Sequence, residues 1–278
     1  MIYIQSVGGL GNQLFQVAFA HYLIERYPKE EVIIFKDKYH GTERVNEIST
    51  VLMSCNHNIR FIRNNRLGLL LKVLDKTARH SDKSSRFISN LFRILSDNES
   101  AFDPCRKGKI YRGYFQAPNL MESAVLITGD ELSKTLENLK FEIPIKEDFS
   151  ALHIRRGDFL YNKETIGILS SKYYAQKIMS NSRLVISTDT YPLDEKFKIS
   201  FHDAFVLDPA KFSPLHTLAI LSRSSVLAIA NSTFSWWAGV LVKVKGNTVY
   251  GPTPWTKNAN LENEIYWEKF EWMDADYE

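Results

Sequence analysis

The sequence predicts an α/β fold with parallel sheets, divided between two domains. In the second half of the chain, short apolar runs typical of buried strands alternate with stretches of helical periodicity. This alternation favours parallel strands that are joined by helices. A glycine-rich turn between an apolar run and a helical stretch shows the same pattern at the start of the chain. At 278 residues the chain suits two domains of about 130–140 residues each.

The first domain, expected over residues 1–146, begins with a strand, a glycine turn and a helix. Apolar spacing predicts a strand at Ile2–Gln5, a helix at Gln13–Tyr27 that ends at Pro28, and a strand at Glu31–Phe35. Residues from there to about 110 are expected to be mostly helical. Loops are predicted around Lys38–Glu43 and Asp97–Lys107, a strand at Tyr111–Phe115 and a helix at Asn119–Leu139.

The second domain is expected over residues 147–278, after a polar, proline-marked linker at Ile143–Asp148. Five strands are predicted, at Phe149–Ile154, Arg183–Ser187, Ala204–Leu207, Val226–Ala230 and Thr248–Tyr250. Three helices are predicted between them, at Ser171–Ser180, Pro214–Ser222 and Phe234–Val242.

Composition excludes several classes of protein. With 44% hydrophobic and 13% aromatic residues the chain is expected to form packed cores, and a net charge of +3 does not suggest nucleic-acid binding. Cys55 and Cys105 form neither a metal-ligand pattern nor a disulfide framework, so free thiols in a reducing compartment are expected. The start of the sequence lacks the features of a signal peptide, and no apolar run approaches the ~20 residues of a membrane span. These features predict a cytoplasmic protein.

The segment from Arg60 to Lys109 is basic, with 12 Lys/Arg against 5 Asp/Glu. Within it, Leu67–Leu74 and Phe87–Leu95 are interpreted as basic amphipathic helices. One interpretation is ordinary packing helices with solvated charged faces. The other is peripheral attachment to an anionic membrane surface.

The stretch His153-Ile154-Arg155-Arg156-Gly157-Asp158 is the most informative in the chain. It follows an apolar run, so an imidazole and two guanidiniums are expected where a strand ends and a loop begins. Arginine offers a planar fork of donors that matches phosphate oxygens, and ligands of open α/β sheets bind at the carboxyl ends of strands. The stretch therefore predicts an anionic ligand, with an Arg–Asp ion pair as the structural alternative. Because neighbouring residues of an extended segment face opposite ways, one arginine is expected to face the ligand and the other to pack.

The glycine turn Gly8-Gly9-Leu10-Gly11-Asn12 begins like a dinucleotide-binding fingerprint but lacks its third glycine, which is replaced by Leu14. No Lys-Ser/Thr pair follows to make a phosphate-binding P-loop. The alternative is a tight turn that Asn12 caps into a helix. A glycine turn at a helix start favours anions in either case.

Two other predicted strand ends carry polar residues. Asn231-Ser232-Thr233-Phe234-Ser235 places three hydroxyls at a helix start, where Ser232 or Thr233 is expected to cap the helix and to form a second anion site. Asp189 can accept hydrogen bonds from a base or ribose, with a turn-forming aspartate as the alternative. Asp274 and Asp276 resemble an acidic metal pair but lie in a tail expected to be mobile, so no protein-bound metal is predicted.

Three of these segments together resemble glycosyltransferase family 11, the α-1,2-fucosyltransferases. Gly-Gly-Leu-Gly-Asn-Gln-Leu-Phe-Gln at residues 8–16 resembles the family's N-terminal motif, His153–Asp158 its His-x-Arg-Arg-x-Asp motif, and Asn231–Trp237 its C-terminal motif. Gly113–Gln116 and Gly251–Trp255 also have a familial appearance. The resemblance runs almost from end to end and is weakest at residues 38–105.

The resemblance implies a GT-B-type fold, in which two Rossmann-like domains face a cleft that holds GDP-fucose. It implies inverting transfer of L-fucose to the 2-hydroxyl of a terminal galactoside, giving an α-1,2 linkage on a surface glycan such as O-antigen. Neither a cofactor nor a metal is expected. The acceptor is expected to end in galactose, and such glycans grow on lipid carriers at the inner face of the membrane.

The resemblance also implies roles for individual residues. Arg155 would grip the β-phosphate, with Arg156 assisting or packing. Asp158 and Glu164 are the carboxylates nearest the motif and the candidates for a base, although transfer without a base stays open. The remaining donor-binding residues are expected to be Ser232, Thr233, Phe234 and Ser235 at the diphosphate, His153 and Asp189 toward the guanosine, and Gly11 and Asn12 from the first domain.

Three alternatives stay open. The first keeps the fold but changes the donor sugar or the linkage. The second is a non-catalytic nucleotide- or glycan-binding protein, and the third an NAD-dependent oxidoreductase, which Leu14 disfavours.

Overall fold

The structure is a computed structural model of the chain. It describes residues 1–36, 58–78, 94–96, 99–103, 107–142, 145, 147–177, 183–258 and 264–278. Both cysteines, the predicted loop at Lys38–Glu43 and most of the predicted helix at Phe87–Leu95 lie outside these residues. Among the helices of the described ranges, none is both long and apolar enough to cross a membrane.

The chain divides into two compact units. One comprises Met1–Gln116 with Leu120–Glu131, and the other Ala117–Asn119 with Leu132–Glu278. The predicted domain boundary, after residue 146, falls in the segment 143–148, of which only residues 145, 147 and 148 are described.

In the described part of the first unit, five strands form a parallel sheet in the order β3-β2-β1-β5-β4. Its strands are β1 (Ile2–Gln5), β2 (Val32–Lys36), β3 (Ile59–Arg63), β4 (Ile94–Ser96) and β5 (Ile110–Arg112). Its helices are α1 (Leu10–Arg26), α2 (Asn65–Ala78), α3 (Glu99–Phe102) and the start of α4 (Glu122–Glu137), which follows a short 3-10 helix at Pro118–Met121.

The predictions for this unit are confirmed near the start and the end of its sequence and are partly wrong in between. β1, α1, β2, β5 and α4 lie close to the predicted ranges. The expectation of mostly helical structure up to residue 110 is wrong at Ile59–Arg63 and Ile94–Ser96, which are strands. The end of the predicted helix at Phe87–Leu95 lies in the second of these strands, whereas the predicted helix at Leu67–Leu74 lies within α2.

The second unit contains a six-stranded parallel sheet in the order β11-β10-β9-β6-β7-β8. Its strands are β6 (Phe149–Ile154), β7 (Arg183–Thr188), β8 (Phe205–Leu207), β9 (Val226–Ala228), β10 (Thr248–Thr253) and β11 (Glu271–Asp274). Its helices are α5 (Ser171–Ala175), α6 (Glu195–Ser200), α7 (Pro214–Leu221) and α8 (Thr233–Lys243), with a 3-10 helix at Gly157–Asn162.

The central strand β6 has the range that the sequence predicts, and all six of its residues are buried. Burial along its whole length is expected of a parallel strand that is covered on both faces, and it includes the polar residues Ser150 and His153. The predicted α/β class, with two parallel sheets, is therefore confirmed.

The expectation of a mobile tail after residue 273 is wrong. β11 pairs in parallel with β10, so Asp274 belongs to the sheet. Beyond it, the N–H of Ser170 donates to the carbonyl of Asp276 (2.8 Å), and the N–H of Glu278 donates to the carbonyl of Ile168 (2.8 Å). Main-chain pairing thus fixes this segment against the loop that precedes α5.

Strand order gives each sheet one point where the direction of winding reverses. In the first sheet this point lies between β1 and β5, and in the second between β6 and β9. Open α/β sheets bind ligands outside the carboxyl ends of the strands at such a point. The glycine turn follows β1, His153–Asp158 spans the end of β6, and Asn231–Ser235 comes shortly after β9.

Candidate functional site

Arg155 is the first arginine beyond β6, and two carboxylates hold its guanidinium. One Nη donates to Asp158 Oδ1 (2.6 Å) and the other lies 2.9 Å from Asp189 Oδ2. Its Nε is buried and has no hydrogen-bond partner. The Arg155 side chain keeps 19% of its surface exposed and Asp158 keeps 57%. The guanidinium is therefore oriented by its neighbours while still open to a ligand.

Asp189, after β7, fixes the main chain of the same loop. Its Oδ1 accepts hydrogen bonds from the N–H groups of Arg156 (2.9 Å) and Gly157 (3.2 Å). A Cβ added at Gly157 would come within 2.4 Å of Asp189 Oδ2, so glycine is what allows this close approach. In the structure the Asp189 carboxylate binds Arg155 and the loop backbone, and its role as a guanosine ligand stays a prediction.

Arg156 is buried and turns toward a different partner. Its two Nη atoms donate to the two carboxylate oxygens of Glu278, at 2.9 and 3.1 Å. Asp194 lies 3.7 Å away, and the guanidinium carbon stands 5.5 Å from the centre of the Phe197 ring. Hydrogen bonding to Glu278 raises the pKa of Arg156 above its ordinary value. The two arginines thus have separate partners, as the alternation of an extended segment leads one to expect.

His153 is the last but one residue of β6 and is buried. Burial, and then the charge of Arg155, lowers the pKa of His153 to about 3, so its imidazole is neutral near pH 7. Its Nδ1 has no hydrogen-bond partner, and its ring lies 5.3 Å from that of Phe234. A neutral imidazole with an unused nitrogen can orient a polar ligand group but adds no positive charge for a phosphate.

The segment after β9 begins helix α8 with Ser232 in the cap position. Ser232 makes no side-chain capping bond, and Thr233 is the first helical residue, so the predicted hydroxyl cap is wrong. Ser235 is buried and its hydroxyl lies within hydrogen-bond distance of the carbonyls of Ala230 and Ser232, at 3.1 and 3.0 Å. The hydroxyl of Ser235 therefore supports the turn.

Asn231, which precedes the cap, ties this turn to the loop before α5. Its amide nitrogen donates to the carbonyls of Ile166 and Gly167, at 3.2 and 3.3 Å. Its Oδ1 is buried without a hydrogen-bond partner. The side chain therefore holds the loop on one side and has an unused acceptor on the other.

Glu164, the second candidate base, lies apart from this cluster. Its carboxylate is exposed and its ion-pair partners are Lys257 (3.4 Å) and Lys163 (4.0 Å). Of the two candidate bases, Asp158 is the one that contacts Arg155.

In the first unit, the glycine turn leads directly into α1. The helix begins at Leu10, with Gly9 in the cap position, so the predicted start at Gln13 and the cap by Asn12 are both wrong. Gly8 has a φ of +80°, a left-handed conformation that favours glycine. Asn12 lies in the first turn of α1 and accepts a hydrogen bond from Gln116 (3.0 Å), and Gly11 is buried beside it.

Sequence patterns do not reveal several residues of these sites. Gln16 joins the two strand ends of the first unit, since its amide donates to the carbonyls of Val7 (3.2 Å) and Gly113 (2.9 Å). Gln16 lies in the motif at residues 8–16 and Gly113 in the segment Gly113–Gln116, both of which resemble the family, but neither stretch indicates that the two residues are in contact. In the second unit, sequence patterns do not reveal Asp194 and Glu278 as partners of Arg156. Nothing in the local sequence around Glu278 indicates a partner 122 residues away.

Comparison with known proteins defines the class of protein to which this fold and site belong. The E. coli ADP-heptose LPS heptosyltransferase II matches with a TM-score of 0.50 and 10% sequence identity, over 98% of this chain and 90% of that one. That likeness concerns the fold alone. The fold is α/β with two parallel sheets, and the GT-B type is confirmed.

The family follows from the sequence match. The chain matches the model of Glycosyl transferase family 11 over residues 1–275, and it belongs to that family. The O-antigen biosynthesis glycosyltransferase WbnK of Escherichia coli is 23% identical in an alignment 299 positions long, and the alignment covers 91% of this chain and 94% of that protein. An alpha-1,2-colitosyltransferase of Escherichia coli is 24% identical in an alignment 292 positions long, and the alignment covers 95% of each chain. The resemblance seen in the three motifs is confirmed, and the family implies a nucleotide-sugar donor and a glycan acceptor.

Proposed function

We propose that this glycosyltransferase transfers L-fucose from GDP-β-L-fucose to the 2-hydroxyl of a terminal galactoside, forming an α-1,2 linkage in O-antigen synthesis. The observation that carries the proposal is the family match over residues 1–275. The name of the relative WbnK supports the O-antigen setting, and that of the colitosyltransferase supports the α-1,2 linkage.

In the proposed reaction, Arg155 binds the β-phosphate of the donor. The guanidinium has two carboxylate partners in the structure, so the diphosphate must compete with them. Asp158 is the more exposed of the two, and its displacement leaves the loop backbone held by Asp189. An ionised guanidinium aimed at the leaving group stabilises the charge that develops as the glycosidic bond breaks.

The step conserves atoms and charge. The bond from the anomeric carbon to the β-phosphate oxygen breaks, and a bond to the acceptor oxygen forms on the opposite face of the sugar. GDP leaves with the bonding electron pair, and the acceptor proton passes to a base. We favour Asp158 over Glu164 for that base, because Asp158 lies beside Arg155 and is released when the diphosphate displaces it, whereas Glu164 lies apart and is paired with lysines.

One observation also supports a second candidate for the donor sugar, colitose. One of the two E. coli relatives, which is 24% identical to this chain, is named as a colitosyltransferase. Colitose is the 3-deoxy counterpart of L-fucose, so the two donors differ by one hydroxyl. A site that hydrogen-bonds this hydroxyl would discriminate against the deoxy sugar by about 10⁴-fold, whereas a site without such a bond would accept both.

The test is incubation of the purified protein with GDP-fucose and a panel of β-galactosides, followed by linkage analysis of the products by NMR. The same panel is run with GDP-colitose and with GDP-mannose. We expect an α-linked fucose on the 2-hydroxyl of galactose. Transfer from another nucleotide sugar, with none from GDP-fucose, would overturn the donor assignment. Tight GDP binding with no transfer from any donor would instead support the non-catalytic binder.

A further inference from the structure

The solvent-facing side of helix α2 carries two apolar side chains that the core does not use. Leu69 and Val73 are 47% and 51% exposed, and they lie one helical turn apart. The opposite side of the helix supplies the packing, since Leu71 is buried with Phe35 and Ile110. The amphipathic pattern of α2 therefore explains its buried face but leaves Leu69 and Val73 unexplained.

Three exposed cations lie in or beside the first turn of α2. Arg66, one turn before Leu69, is exposed, as are Arg63 and Lys109. Within the described part of the chain these three residues have no carboxylate partner. Two other basic residues of the segment are paired with carboxylates, Arg60 with Glu31 (3.0 Å) and Lys107 with Glu30. Arg63, Arg66 and Lys109 therefore remain as exposed positive charges beside α2.

A cavity adjoins the same helix. Its volume is about 460 Å³, and its lining combines Arg66, Lys109 and Asn64 with the apolar side chains of Leu67 and Leu70. Two cations and an amide supply hydrogen-bond donors for a phosphate, and the apolar wall suits the hydrocarbon next to it.

We propose that this face, formed by α2 with Arg63 and Lys109, docks on an anionic phospholipid bilayer. Arg66, Lys109 and Asn64 bind the headgroup phosphates. Leu69 and Val73 insert at the boundary between the headgroups and the acyl chains. Basic helices with exposed apolar residues bind membranes by this combination of charge attraction and apolar burial. The proposal concerns a surface of the first unit and does not depend on which sugar the enzyme transfers.

The test is co-sedimentation of the full chain with vesicles of phosphatidylglycerol and phosphatidylcholine, compared with phosphatidylcholine alone, at low salt. We expect binding to the anionic vesicles only, weakened by added salt because the charges are exposed. Arg66→Gln and Lys109→Gln should each lower the partition coefficient by about fivefold. The double variant Leu69→Ser/Val73→Ser should lower it by about tenfold or more.

Leu126→Ser/Ile127→Ser is the matched control, since these side chains are also exposed apolar residues of a helix, 36% and 38% exposed. It should bind vesicles like the unmodified protein. Equal binding to both vesicle types, no binding at low salt, or equal loss in the control and test variants would overturn the proposal. Circular dichroism and transfer to a soluble acceptor should stay unchanged in every variant, which separates this result from failure of the proposed activity.

Discussion

At the scale of single residues, the two adjacent arginines differ in exposure and in their carboxylate partners. Arg155 is held by Asp158 and Asp189 and keeps some exposed surface, whereas Arg156 is buried against Glu278. The division between a partly exposed and a packed arginine could be predicted from the geometry of an extended segment, and ligand binding by Arg155 stays a prediction. The partner of the packed arginine could not be predicted, because Glu278 is distant in the sequence and only the tertiary fold brings it next to Arg156.

Arg155→Ala should lower kcat/KM by at least ~30-fold, because losing one charge-assisted contact to the leaving group costs about 2 kcal/mol or more. Arg155→Lys should recover part of the loss, since lysine keeps the charge but not the planar fork. Steady-state kinetics with donor and acceptor varied separately provide the measurement. Arg183→Ala, at an exposed position at the start of β7, is the control. Near-normal transfer by a folded Arg155→Ala protein would remove Arg155 from the mechanism.

At the scale of elements, edge strands account for most of what the sequence does not predict. β3 and β4 are the edges of the first sheet and β11 is an edge of the second. Interior strands such as β2, where Val32–Phe35 are all apolar and buried, form continuous apolar runs that the sequence shows clearly. β3 is interrupted by charged residues within its five positions, and β4 has only three residues. Strands of this kind lack the pattern that identifies a buried strand.

The segment after β11 is expected to support the loop that follows β6, because Glu278 binds Arg156 in that loop. Glu278→Gln replaces the carboxylate that pairs with the buried Arg156 guanidinium, which then has Asp194 as its nearby carboxylate. We expect the free energy of unfolding to fall by about 1–3 kcal/mol and the Kd for GDP to rise by about fivefold. Urea titration and isothermal titration calorimetry measure these two effects. Glu268→Gln, at an exposed position in the same unit, should change neither. If Glu278→Gln behaves like this control, the pair with Arg156 does not position the loop.

At the scale of the whole molecule, polar loops lie at equivalent positions of the two sheets. In each unit a polar turn lies at the carboxyl end of the strands where the winding reverses. The alternation of strands and helices made this architecture predictable, and the family motifs fall at these turns. The order of the strands had to come from the structure, because the edge strands are not visible in the sequence.

The stability of the second unit should depend on His153 at mildly acidic pH. The pKa of His153 is lowered to about 3 in the folded protein, so the unfolded chain takes up its proton first as the pH falls. The stabilising contribution is therefore complete above the unfolded pKa of about 6.5 and declines below it. Between pH 7.5 and 5.0 the loss from this one group should be about 2 kcal/mol.

Urea titration at the two pH values, for the unmodified protein and His153→Gln, isolates this contribution from that of other groups. All five tryptophans of the chain lie in the second unit, so their fluorescence reports its unfolding. The pH-dependent loss of stability should be about 2 kcal/mol smaller in His153→Gln, whereas His202→Asn, at an exposed histidine, should match the unmodified protein. An equal pH dependence in all three proteins would mean that His153 accepts a proton while the unit is folded.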